Sequence, residues 1–142
     1  MLREDGYLFD DGTSWRLSET QFLMTTTTAN AASVLSELER LLTLVWPNLK
    51  VHVSSVTDQW AGMAVAGPNS RDVLVKIIDD IDFSEKGLPQ MAVADGRISN
   101  IPVKVARLSF SGERAYEIYT GTSHGEAVWL SLIHISEPTR PY

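Results

Sequence analysis

The apolar positions along this chain change period several times, and each change marks an element. Across "TANAASVLSELERLLTLVW", Ala31, Val34, Leu35, Leu38, Leu41, Leu42 and Val45 recur at helical spacing and predict one buried face. Glu37, Glu39 and Arg40 fall off that face, Thr28 is placed to cap the N-terminus, and Pro47 ends the helix. A second helix opens at Gly67-Pro68-Asn69, with Val73, Leu74, Ile77 and Ile78 as its core face and Asp72 in its first turn. A third begins in "SHGEAVW".

Between these segments the period drops to two. Tyr7 to Asp11 reads as a strand ending in Asp-Gly, a turn signal. Trp15–Leu17 and Gln21–Thr27 read as a hairpin around Ser18-Glu19-Thr20, since the β-branched "TTTT" favours strand over helix. "KVHVSSV" alternates as a half-buried strand, and "WAGMAVAG" is a small-residue strand. "GLPQMAVADGRI" and "PVKVARLSF" read as two strands joined around Asp95-Gly96, and "RAYEIYTG" as another. Strands, hairpin and helix follow in the same order in "RLSETQFLMTTTTANAASV" and "RLSFSGERAYEIYTGTSHGEAV", which suggests duplicated units. Strands and helices do not alternate one for one. The expected fold class is therefore α+β, a mostly antiparallel sheet with packed helices.

At Leu130 the pattern breaks. "LSLIHISEPTR", followed by Pro141 and Tyr142, reads as an in-frame translation of a common transposase sequencing-library adapter. Residues 130–142 are accordingly expected not to be native, like a fusion scar, and 1–129 to be one partial domain. The natural protein is then expected to continue past Trp129, and Met1 to be an internal methionine.

Composition narrows the chemistry. With 142 residues, 44% hydrophobic, the chain has the material of about one globular domain. A net charge of −6 gives no general electrostatic help toward nucleic acid or an anionic membrane, so neither is an expected partner. Cysteine is absent, which removes disulfides, thiolate metal sites and cysteine nucleophiles. Nothing resembles a signal peptide or a membrane-spanning run, and the expected location is cytoplasmic. The glycines never reach P-loop or dinucleotide spacing. His52 and His124 have no motif partners for a metal, and Ser109 and Ser111 lack a convincing base.

Carboxylates in apolar strands remain. If the first strand is regular, Tyr7, Phe9 and Asp11 share one face, with Leu8 and Asp10 on the other. An acid beside aromatic surface can have a raised pKa and can position or deprotonate a nitrogen nucleophile. Asp-Asp-Gly is also ordinary turn chemistry. Ala115, Glu117 and Tyr119 share a face in "FSGERAYEIYTG", opposite Tyr116 and Ile118. There Glu117 could accept a fork of donors from a heterocycle, or simply face solvent on an amphipathic strand. Trp15 and Phe110 could be stacking surfaces or core.

"LREDGYLFDDGTSWRL", "TTTTANAASVL", "VTDQWAGMAVAGPNSRDVL" and "RLSFSGERAYEI" together resemble the aminomethyltransferase-like, folate-binding family, from Met1 to Trp129. "TTTTANAASVL" and "SVTDQWAGMAVAGP" point to its branch in the α subunits of heterotetrameric sarcosine oxidases, whereas "SGERAYEI" is shared more broadly. The resemblance implies a tetrahydrofolate site. Its conserved-type aspartate matches Asp11, its pterin-binding glutamate matches Glu117, and an aromatic four residues after the aspartate matches Trp15. A family tyrosine is replaced by Phe110, which loses a hydroxyl. On this resemblance Asp11 faces the folate cavity while Asp10 serves the turn. A flavin, and NAD, belong elsewhere in the full enzyme, which oxidises sarcosine. The sarcosine-derived imine or formaldehyde then reaches tetrahydrofolate, with glycine and methylene-tetrahydrofolate as products. The other sarcosine oxidase subunits are the implied protein partners. Alternatives are a glycine-cleavage aminomethyltransferase, a dimethylglycine or sarcosine dehydrogenase domain, and a non-catalytic folate-binding or scaffold domain. The isolated fragment is expected to be inactive, to bind folate poorly and to aggregate, because sheet edges and apolar helix faces would lack partners.

Overall fold

A computed structural model describes residues 1–136, and the chain divides into two compact units, Met1–Thr57 and Asp58 onward. In the first unit, β1 (Ser14–Arg16) and β2 (Phe22–Met24) form an antiparallel hairpin in which Trp15 opposes Leu23. A 3-10 turn over Thr28–Asn30 leads into α1 (Ala31–Arg40), which relaxes into a π-turn over Leu41–Val45. The predicted apolar face is met in part: Val34 is buried, Ala31, Leu35, Leu38, Leu41 and Leu42 are half-buried and Val45 is exposed, and the helical stretch ends just before Pro47. Capping differs from expectation: Thr28 lies inside the 3-10 turn, the cap position of α1 is Asn30, and neither Thr27 nor Asn30 makes a side-chain cap bond.

Two expected strands do not form. Tyr7–Asp11 has only the isolated bridge between Leu2 and Leu8, flanked by the hydrogen bonds of the Arg3 N–H to the Tyr7 carbonyl and the Phe9 N–H to the Met1 carbonyl. Lys50–Val56 shows no alternation of exposure, with Val51 exposed although Val53 is half-buried, and it pairs with no strand among the described residues. A strand without a partner leaves its backbone groups to water and is not held in place.

The second unit is built on a four-stranded antiparallel sheet in the order β3-β6-β5-β4. Its strands are β3 (Trp60–Ala66), β4 (Val93–Ile98), β5 (Ile101–Ala106) and β6 (Ala115–Gly121). Two helices accompany it, α2 (Ser70–Leu74) and α3 (Gly125–Ser136). One sheet face carries Val103, Val105, Tyr116 and Ile118 into a core with Leu74, Ile78, Val128 and Leu132. The core is extended by an edge-on contact of Phe83 with Tyr116, with ring centroids 5.7 Å apart. Arg107, just past β5, is buried and forks onto Glu85 at 2.7 and 2.9 Å while donating to the Leu88 carbonyl, which ties the 82–88 loop to the sheet.

The β4–β5 turn is not at Asp95-Gly96, which lie inside β4, with Gly96 buried against Ile81. It is the two-residue turn Ser99-Asn100 between paired Ile98 and Ile101, with φ of 48° and 70°. Asparagine enters the left-handed region more readily than most residues and supplies the turn without glycine. Regular α2 stops at Leu74, although Ile78 still caps the core as its spacing predicts. At the other end α3 runs through Leu130 to Ser136 rather than breaking there, because Val128 and Leu132 continue one buried stripe. Both units thus show strand, antiparallel strand, 3-10 turn and helix in the same order, the second 3-10 turn being Thr122–His124. This is the α+β, antiparallel architecture the sequence predicts.

Candidate functional site

In the first unit the two neighbouring aspartates differ sharply in exposure. Asp10 is 6% exposed and Asp11 is exposed. The regular-strand alternation fails because this segment is a loop. Asp10 Oδ1 accepts the Asp11 N–H at 2.8 Å, and Oδ2 accepts from Asn30 Nδ2 at 3.2 Å. Hydrogen bonding from the Thr27 side chain, opposed by burial and assisted by the Asp11 N–H and Asn30, holds the Asp10 carboxyl below its ordinary range. Asp10 is therefore an internal acceptor that anchors the loop, and Asp11 projects from that anchor.

Immediately after Asp11 the backbone is pinned. A Cβ at Gly12 would collide with the Thr25 carbonyl oxygen, so only glycine permits this approach. Thr13 and Thr25 then bond three ways: Thr13 N–H to Thr25 Oγ1 at 3.1 Å, hydroxyl to hydroxyl at 2.8 Å, and Thr25 N–H to the Thr13 carbonyl at 2.8 Å. The indole Nε1 of Trp15 donates to Thr13 Oγ1 at 2.7 Å, and the ring is 5% exposed. Trp15 is thus buried rather than offering an open stacking face. Sequence reasoning missed Thr13, Thr25, Thr27 and Asn30 as the supports of the aspartates. Their signal was present as "DGT" and "TTTTAN", polar residues flanking each strand of a hairpin.

In the second unit, Glu117 sits in the middle of β6 on the sheet face away from the core. Directly opposed residues of antiparallel strands share a face. Glu117 is therefore flanked by Ala64 of β3 and Ala106 of β5, and Tyr119 by Gly62 and Lys104. The predicted division of β6 holds, with Tyr116 and Ile118 buried on the other side. The Tyr119 hydroxyl donates to Glu117 Oε2 at 2.9 Å. Burial first, then that hydrogen bond and the carboxylate charge, push the Tyr119 phenol well above its ordinary range, so it stays a donor. Lys104 pairs with Asp95 of β4. Phe110 lies on the β5–β6 loop and is fully exposed.

A shallow cavity of about 310 Å³ on this unit is lined by residues including Trp60, Asp80, Asp95, Arg97 and Lys104. Neither Glu117 nor Phe110 lines it. His52 and His124 are exposed, and the described residues contain no His, Cys, Asp and Glu group able to hold a metal. No described helix is long and apolar enough to cross a membrane.

The chain is 46% identical over 135 residues to the sarcosine oxidase subunit alpha of Rhizobium meliloti (strain 1021), covering 94% of this chain and 14% of that protein. It is 47% identical over 130 residues to the corresponding subunit of Corynebacterium sp. (strain P-1), covering 91% of this chain and 13% of that protein. The aminomethyltransferase of Streptomyces coelicolor is 29% identical over 138 residues, covering 96% of this chain and 35% of that protein. The family described as GCVT N-terminal domain matches residues 1–140, and the chain belongs to that family.

Proposed function

We propose that this chain is the folate-binding part of a sarcosine oxidase α subunit, where the one-carbon unit of oxidised sarcosine passes to tetrahydrofolate. The observation that carries this reading is Glu117, a half-buried carboxylate on the sheet face away from the core, between Ala64 and Ala106, with one oxygen already held by Tyr119. A carboxylate offers about four lone-pair sites, so roughly three remain for the paired N–H donors of a pterin amino-amide edge. Ala64, opposite Glu117 on β3, is small and exposed, which suits a flat ring on that side of the carboxylate. The higher identity to sarcosine oxidase subunits than to the aminomethyltransferase favours that branch.

When bound, tetrahydrofolate would supply the nitrogen nucleophiles that accept the one-carbon unit. Asp11, exposed and anchored through Gly12 and Asp10, is the group proposed to orient the nitrogen and relay a proton. Such chemistry depends on positioning rather than on a covalent nucleophile. Trp15 supports the Asp11 loop from within, and Phe110 offers an apolar surface at the β5–β6 loop. Flavin and NAD, the other oxidase subunits, and a cytoplasmic location are carried by the same reading.

The test is Asp11→Ala in the full-length enzyme, measuring amine oxidation and methylene-tetrahydrofolate formation separately. Loss of the folate product with oxidation retained is the expected result. Equal folate product from wild type and variant removes Asp11 from this role.

A further inference from the structure

We infer that Tyr119 is a positioning residue for Glu117, fixing the carboxylate rotamer that reads the ligand's donor edge. This inference rests on the folate reading of Glu117 and adds a residue to it. On a strand, residues two apart stand side by side on one face, and here the Tyr119 hydroxyl reaches back to Glu117 Oε2 at 2.9 Å. A glutamate has three side-chain torsions to fix, and an unheld one would lose rotamer freedom on binding. The phenol removes part of that cost in advance.

The seat of the tyrosine ring is itself specific. Gly62 stands opposite Tyr119, and a methyl group at Gly62 would lie 3.0 Å from ring carbon Cε1. The ring therefore lies over bare backbone, and β3 presents only Gly62, Ala64 and Ala66 along this stretch of the face. Lys104, the cation across from Tyr119 on β5, is engaged by Asp95 of β4. The hydrogen bond given to Glu117 thus comes from Tyr119, with the neighbouring lysine directed elsewhere. Such a fixed acceptor discriminates most against ligands that lack one of the matching donors.

The experiment is a double-mutant cycle in the full-length protein, with 5-formyltetrahydrofolate and its 2-desamino analogue as probes. Tyr119→Phe keeps the ring and removes the hydroxyl, and thermal unfolding checks that the fold is kept. The expected loss is about tenfold in affinity for 5-formyltetrahydrofolate, as for a hydrogen bond to a charged group. In a Glu117→Ala background the same change should have almost no effect, and preference over the 2-desamino analogue should fall in Tyr119→Phe. If Glu117→Ala weakens binding while Tyr119→Phe is harmless, or is equally harmful without Glu117, the positioning role is overturned and the folate reading stands. If Glu117→Ala leaves affinity unchanged, the folate reading at Glu117 fails and takes this inference with it.

Discussion

Asp10 and Asn30 are joined by a hydrogen bond of 3.2 Å across twenty residues of chain, from the end of the N-terminal loop to the start of α1. The same asparagine nitrogen donates to the Phe9 carbonyl at 3.2 Å, so the loop is held at two adjacent points. Asp10 must be ionised to accept from every partner it has here.

That requirement sets a pH dependence. The folded-state carboxyl of Asp10 is lowered by the Thr27 side chain, the Asp11 N–H and Asn30. A depressed acid contributes stability that is fully present above its unfolded pKa and lost as pH falls through the folded one. Asp10→Asn should therefore lower the melting temperature at neutral pH, and the gap from wild type should shrink below about pH 4. A gap unchanged at low pH would show that the charge is not what holds the loop.

Gly12 provides a sharper probe of the same loop. Its missing Cβ makes room for the Thr25 carbonyl, a backbone atom that cannot turn aside. Gly12→Ala should cost about 1–3 kcal/mol, as overpacking against a rigid neighbour does. Because Asp11 precedes it, methylene-tetrahydrofolate formation in the full-length enzyme should fall with it. Denaturant unfolding measures the first effect; a variant as stable as wild type would contradict the close approach.

These two positions mark the limit of what the sequence discloses. Periodic elements were legible because burial imposes their spacing: the face of α1 follows from helical recurrence, and the β1–β2 hairpin and the two-sidedness of β6 from alternation. What failed depends on partners distant in the chain. Lys50–Val56 has the residue alternation of a strand but no strand beside it among the described residues. Asp10 turns inward because Thr27 and Asn30, not the alternation of a strand, bind its carboxylate. Tyr119 was visible as a residue on the Glu117 face, but its hydroxyl's partner depends on ring placement over Gly62, which no period encodes.

The β4–β5 turn shows the same limit and gives a further prediction. Ser99 and Asn100 both sit at positive φ, where a serine is held at some conformational cost. Replacing the pair by Asn-Gly, the sequence that best suits a two-residue turn of this kind, should stabilise the protein by about 0.5–1 kcal/mol. Asn100→Val should destabilise it by roughly 1–3 kcal/mol, since a β-branched residue is strained at positive φ. Melting curves that reverse this order would place the turn elsewhere, back toward Asp95-Gly96.

The last prediction concerns the residues after Trp129. Leu130 onward is proposed to be adapter translation, yet Leu132 is 4% exposed and follows the fully buried Val128 by one helical turn. Both facts fit if the chain before Trp129 builds an apolar hollow, lined in part by Leu74 and Ile118, that any continuing helix must fill. Sequencing the source DNA across this point should show different codons after Trp129 and still an aliphatic or aromatic residue at the position of Leu132. A frame running unchanged to Tyr142 would refute the adapter origin. A charged residue at the Leu132 position would refute the hollow, because a charge buried without a partner would destabilise the core it enters.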